Sequence, residues 1–201
     1  MKNIFLTFLF VCLLFSCKKP LANFTDPQPV NSKDITEFPK KIIGSYHNYE
    51  TNTDVTIDRS TVLLTNHFTD TLNKTNLLEL QKEIKLETIP LNDSLFITKY
   101  ATTDTLFSIG KTGILRKLKG HYFLNSLNSE NNWEVKKLTY KNNIVSISDI
   151  YNEESIQKLD EITETASDSI RPKTYTLTRK QFKEFVVKNG FTTESTFIRQ
   201  K

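Results

Sequence analysis

Residues 38–46 read Phe-Pro-Lys-Lys-Ile-Ile-Gly-Ser-Tyr, and residues 114–122 read Ile-Leu-Arg-Lys-Leu-Lys-Gly-His-Tyr. Apolar, basic and Gly-x-Tyr positions coincide at an offset of 76. A second match follows each: Val55-Thr-Ile-Asp-Arg-Ser-Thr-Val62 against Leu138-Thr-Tyr-Lys-Asn-Asn-Ile-Val145, at an offset of 83. The difference of seven fits a longer first hairpin loop, Ser126 to Asn132. Each copy reads as strand, loop, strand, tight turn, strand, so the chain is expected to hold a duplicated β-meander with repeats over 38–109 and 114–199. Glycine two residues before tyrosine lies on the tyrosine's side of the sheet, where its bare backbone lets another group approach closely.

Working outward, short β-type runs dominate: Ile42 to Tyr49, Asp54 to Ile57, Thr61 to Phe68, Leu95 to Tyr100, Leu106 to Ile109, Gly113 to Leu118, His121 to Asn125, Trp133 to Tyr140 and Ile144 to Ile150. They are rich in Thr, Val, Ile, Phe and Tyr, which suit half-buried pleated positions. Asp58-Arg59-Ser60 and Lys141-Asn142-Asn143 supply turns, the asparagines because they tolerate a left-handed backbone. Helices are expected near the C terminus. Thr178-Arg-Lys-Gln181 is a capping box with Leu177 and Phe182 at staple positions. Phe182, Phe185 and Val186 form one apolar stripe, with Gly190 as a left-handed stop. Asn152 can cap another helix with Ile156, Leu159 and Ile162 on one face. Lys74 to Glu83 suits a helix, but Ile84-Lys-Leu86 alternates like a strand. The expected class is α+β, mainly antiparallel β, with one or two short C-terminal helices packed on the sheet.

The amino terminus carries a different signal. Lys2 precedes an apolar run from Ile4 to Phe15, shorter than the roughly 20 residues a membrane span needs. The run ends in Leu14-Phe15-Ser16-Cys17 followed by Lys18 and Lys19, which resembles the lipobox of bacterial lipoproteins. That resemblance implies a leader over 1–16, cleavage before Cys17 and a diacylglycerol on its thiol. Cysteine usage agrees: the only other cysteine, Cys12, lies within the leader, so Cys17 has no intrachain partner afterwards. Residues 17–36 hold three prolines and no periodicity and read as a lipidated flexible tether, with the domain over 37–201. The composition resembles that of Bacteroidota lipoproteins. Lysines rather than acids after the cysteine imply an outer-membrane protein facing the periplasm, with surface exposure as the alternative.

About 185 residues remain without the leader, with 26 Lys and Arg against 23 Asp and Glu, too balanced for a nucleic-acid binder. Asp149 to Asp168 is net −6 and Arg171 to Lys201 net +6; these segments either pair or form two solvated faces. The sequence carries no catalytic constellation. Ile109-Gly-Lys-Thr-Gly113 has Thr105 where a phosphate loop needs glycine. His47, His67 and His121 stand at no metal-ligand spacing and read as strand residues on a polar face. No Gly-x-Ser-x-Gly elbow exists. The chain is therefore expected to be no enzyme, with no cofactor and no metal.

Asp-Ser/Thr-apolar triplets place Thr71, Ser94, Thr105 and Ser169 where composition predicts roughly one such site. They resemble the O-glycosylation sequon of exported Bacteroidota proteins; the alternative is ordinary turn-to-strand chemistry. The segments 115–125, 133–138 and 177–182 together resemble small uncharacterised lipoproteins of flavobacteria, a group from which no activity carries over. The leading expectation is a non-enzymatic binding or envelope-assembly module with a partner in the envelope. The Gly44/Tyr46 and Gly120/Tyr122 pairs also resemble the Gly-x-Trp start of lipocalin-like chains, which implies a small-ligand β-barrel as the alternative, ahead of an envelope hydrolase.

Overall fold

A computed structural model describes residues 20–165 and 170–200. Cys17 and Ser169 lie outside the described residues. The described residues form twelve strands, three α-helices and one short 3-10 turn. The first meander comprises β2 (Gly44–Asn48), β3 (Thr53–Ile57) and β4 (Thr61–Asn73). The second comprises β8 (His121–Leu127), β9 (Trp133–Lys141) and β10 (Ile144–Asp149). The C-terminal strand β12 (Thr193–Arg199) pairs antiparallel with both β10 and β2. One antiparallel run results: β7 (Gly113–Leu118), β8, β9, β10, β12, β2, β3, β4, β6 (Leu95–Ser108) and β5 (Glu87–Pro90). Beside β9, β1 (Ala22–Phe24) pairs antiparallel at Trp133 and parallel with β11 (Lys173–Tyr175).

The two meanders share their register. Tyr46 stands opposite Val55 as Tyr122 stands opposite Leu138, and Ile57 opposite Val62 as Tyr140 opposite Val145. These pairs obey the sequence offsets of 76 and 83, and both tyrosines enter one core with Val55, Leu138 and Val145. The leading strand of the repeat does not hold. Residues 114–118 belong to β7, but Lys40–Ile42 form a 3-10 turn, and β12 occupies the place beside β2. Pro39 explains the departure: it has no N–H to give a ladder and it caps the turn.

Two cores lie on opposite faces of the sheet. Inside its curl, Phe38, Ile42, Tyr46, Phe107, Leu115 and Phe197 pack with the meander residues, so strands from both copies close around one apolar interior. On the other face, Phe24, Phe123, Val135 and Tyr175 meet α2 (Glu153–Thr163) and α3 (Arg179–Val187). Strand β8 serves both cores: Tyr122 and Leu124 point inward and Phe123 toward the helices, each nearly fully buried. Asn152 caps α2 through Ser155 N–H, and Thr178 with Gln181 forms the capping box of α3. Phe182, Phe185 and Val186 are buried, while Arg179, Lys180, Lys183 and Lys188 are exposed.

Several sequence expectations are corrected. Residues 20–36 are not a loose tether. Leu21 N–H donates to Ile150, β1 is buried, and Arg116 binds the Pro29 carbonyl at 3.1 Å and Asp34 at 2.7 Å. Ile35 bridges Leu115. Prolines here fix an irregular path that buried Asn125 holds, its amide donating to the Gln28 carbonyl at 2.9 Å. The left-handed residue after α3 is Asn189, not Gly190. Gly190 N–H reaches the Phe185 carbonyl and Asn189 N–H that of Val186, a Schellman arrangement. Glycine is needed at 190 for contact, since a Cβ there would lie 2.0 Å from the Phe185 ring. Leu95 to Tyr100 and the run from Leu106, expected as separate strands, join in β6, because the β-branched threonines of Thr102-Thr103-Asp104 fit its long pairing with β4. Lys74–Leu80 is a helix, α1, capped by Asn73; Ile84-Lys-Leu86 lies outside any strand. The acidic and basic segments do pair, Asp160 with Lys173 at 2.7 Å and Glu153 with Arg171 at 2.6 Å.

Phe185→Ala is expected to cost about 3–5 kcal/mol and to lower the melting temperature sharply, with Lys183→Ala within about 0.5 kcal/mol of the parent. Gly190→Ala should also destabilise, by displacing that ring. Thermal denaturation followed by circular dichroism measures all three; a silent Phe185→Ala would refute the helix-face core.

Candidate functional site

The outer face of β2, β3 and β4 is polar because alternate residues on each strand point away from the core. His47 on β2 and Asp54 on β3 are directly paired across the ladder. His67 belongs to β4 two residues beyond Thr65, the partner of Asp54. These registers bring both imidazoles onto one carboxylate: His47 Nδ1 lies 2.7 Å from Asp54 Oδ1 and His67 Nε2 lies 2.6 Å from Oδ2. Asn52, at φ 51°, turns the chain between β2 and β3, and its backbone carbonyl accepts from His67 N–H. Burial alone would push the Asp54 carboxyl up, but the hydrogen bonds and charge of His47 and His67 outweigh it and hold it below the usual carboxylate range.

An open hollow of about 740 Å³ lies over this group. Its walls include Tyr49, Phe68 and Tyr100, with Lys85, Glu87 and Lys99 from the β5–β6 side and Gln200 from beyond β12. Tyr49 is 72% exposed and meets the His47 ring edge-to-face at 4.5 Å. Phe68 and Tyr100 stack across the β4–β6 pair at 5.1 Å, and the Tyr100 hydroxyl donates to Asp70 at 2.7 Å. That bond is the chief reason the Tyr100 phenol is pushed up, with burial adding to it.

The three histidines therefore divide. His47 and His67, read from sequence as unconnected strand residues, share Asp54. His121 stays apart and bonds Thr139 at 2.8 Å, with burial, helped by Lys137, pulling its imidazole down. Sequence spacing missed the trio because its members come from three strands. The one available signal was the alternation that puts His47, Asp54 and His67 on outward positions of adjacent predicted strands. Among the described residues, no group of three or more His, Cys, Asp and Glu side chains is placed to hold a metal ion.

The Gly-x-Tyr positions also separate. At Gly44 the close approach is real: Arg199 from β12 lies where a Cβ would meet its guanidinium at 3.2 Å. That guanidinium sits 5.1 Å over the Tyr46 ring and donates to the Tyr46 hydroxyl at 2.7 Å and the Lys41 carbonyl at 2.8 Å. At Gly120 nothing approaches; its φ of 88° serves the β7–β8 turn. Of the triplet hydroxyls, Ser94 follows an Asn92 turn, whereas Thr71 and Thr105 lie within β4 and β6; all three are exposed.

No protein-family model, curated protein or solved structure matches this chain. Among the described residues no helix is long and apolar enough to cross a membrane.

Asp54→Asn is expected to destabilise the protein at pH 7 by about 1–3 kcal/mol, the scale of hydrogen bonds to a charged group. A carboxyl held low in the folded state contributes stability that is complete above its unfolded value of about 4 and is lost as pH falls through its folded value. Melting curves from pH 7 to pH 2 should show the gap between parent and variant closing only at the acid end. A gap independent of pH would contradict the arrangement.

Proposed function

We propose that the protein is a non-enzymatic binding module of the cell envelope, tethered by lipid on Cys17 and receiving its partner at the hollow above Asp54. The observation that carries this reading is a set of exposed rings beside a carboxylate whose two oxygens are both engaged. Large exposed aromatics lining a polar hollow are typical of recognition surfaces. Each Asp54 oxygen lies within hydrogen-bond distance of one imidazole, which fixes both rings on the face beneath the exposed aromatics. An interior packed with Phe38, Tyr46, Tyr122 and Phe197 favours recognition on the outer surface over a ligand inside the curl.

The lipid reading rests on the lipobox-like Leu14-Phe15-Ser16-Cys17. The folded path from Leu21 onward sharpens its consequence. Only residues 18–20 would separate the anchor from the sheet, at most ~3.5 Å each, so the domain would sit close to the bilayer instead of tens of ångströms away. Outer membrane facing the periplasm remains the proposed location, and the exposed Thr71, Ser94 and Thr105 remain proposed glycan acceptors.

Two experiments test this. Cys17→Ala should lose labelling by palmitate analogues and release the domain from membranes; retention of label would overturn the anchor. A photo-crosslinker at position 49 should capture an envelope component, while one at position 183, on the exposed face of α3 and outside the hollow, should not. Equal or absent capture at both positions would overturn the binding role.

A further inference from the structure

We infer that the hollow over Asp54 binds an uncharged carbohydrate chain, a reading that rests on the binding role proposed above. Three features select this ligand class, the first being the imidazole chemistry. A neutral histidine beside a carboxylate donates its N–H to it, and the two rings turn opposite nitrogens, Nδ1 of His47 and Nε2 of His67, toward Asp54. In that neutral form the 2.7 and 2.6 Å contacts would be met by Nδ1–H of His47 and Nε2–H of His67. Each ring then keeps its other nitrogen as an acceptor, Nε2 of His47 and Nδ1 of His67. The same walls carry strong donors, the Lys99 ammonium and the Gln200 amide. Acceptors and donors side by side match a hydroxyl, which gives one hydrogen bond and takes another; a sugar presents them in adjacent pairs.

The second feature is aromatic. Tyr49 keeps most of its ring in water, and the Phe68–Tyr100 stack, with Phe68 41% exposed, stands on the same hollow. Pyranose rings have one face of C–H groups that packs flat on such rings, while their hydroxyls reach outward to polar partners. An amphipathic ring with a polar tip, as tyrosine has, serves both.

Charge supplies the third. With neutral imidazoles the walls carry Lys85 and Lys99 against Asp54 and Glu87, a net charge of zero. A polyanion or polycation gains no net attraction there, and the imidazole lone pairs repel an anion's oxygens. The volume of about 740 Å³ lies within the range of small-molecule sites and suits a few sugar units.

The test uses the full-length chain in detergent on an array of neutral oligosaccharides of glucose, mannose, xylose and N-acetylglucosamine, beside sulfated and uronic-acid oligosaccharides. The strongest neutral binder is then titrated calorimetrically. We expect binding to neutral glycans, at least 10-fold weaker in Tyr49→Ala, which removes an exposed ring and should leave the melting temperature unchanged. His67→Phe keeps a ring but no acceptor and should weaken binding at least 5-fold. Preference for the anionic glycans, no neutral binder at millimolar concentration, or an unchanged titration in a folded Tyr49→Ala would each overturn the inference. Crosslinking at position 49 to a protein, with the array blank, overturns the carbohydrate while leaving the binding role standing. A blank array with no crosslink removes both.

Discussion

The fold depends on where β12 goes. Without it, the chain holds two three-stranded meanders with equal registers but no ladder joining them. With it, Ile144 to Asp149 of β10 and Tyr46 to His47 of β2 become neighbours of one strand, and the apolar sides of both meanders face a shared interior. Phe197, from β12 itself, is buried in that interior. Two residues on, Arg199 crosses Gly44 and lies over both the Tyr46 and Tyr140 rings, one from each meander. A guanidinium against two faces, with carbonyls of Lys41 and Ile43 as acceptors, is a half-buried charge held by several partners at once. Burial is the main reason the Tyr46 phenol is pushed up, and Arg199 only partly opposes it.

This seam also places the candidate site. His47 stands opposite Ile198 on β12, and Gln200 N–H donates to Ser45 just beyond, so the hollow's floor borders the seam. From there the site borrows the protruding β4–β6 pair, whose outer half extends past the core and carries the Phe68–Tyr100 stack. Rigidity near the core and exposure farther out give a surface on which polar groups are held in place while rings remain available to a ligand. The opposite side of the molecule, where α2 and α3 cover β8 and β9, is occupied by packing: Phe123, Phe182, Phe185 and Phe191 meet edge to face or tilted around the Schellman turn.

Much of this was legible in the sequence where a local rule acts alone. The helix caps at Asn152 and Thr178, the stripe at Phe182, Phe185 and Val186, and the tight turn at Asn142-Asn143 follow from local chemistry. The repeat could be read because Val55 and Leu138 keep the same distance from the turns that follow them. What could not be read depends on distant contacts. Strand β12 has a single buried apolar anchor in Phe197, with Ile198 exposed beside it among polar residues, so nothing in residues 193–199 names two partners, one about 50 and the other about 150 residues back. Residues 20–36 look like a linker because their order comes from Arg116 and Asn125, far along the chain. Gly190 looked like a helix stop since glycine usually takes the left-handed position; here Asn189 takes it, and glycine serves the ring of Phe185. His47, Asp54 and His67 had no spacing to betray them, because ladder register and not sequence distance sets their meeting.

The central claim is that β12 makes the two meanders one cooperative body. Native-state hydrogen exchange tests it most directly, by comparing amides of β2 and β3 with those of β8 and β9 as denaturant is raised. The account predicts that the slowest amides of both sets converge on one opening free energy, equal to that of global unfolding. If one meander exchanged through a separate, lower-energy opening while the other stayed protected, β12 would not be the element that unites them, and this description of the fold would be wrong.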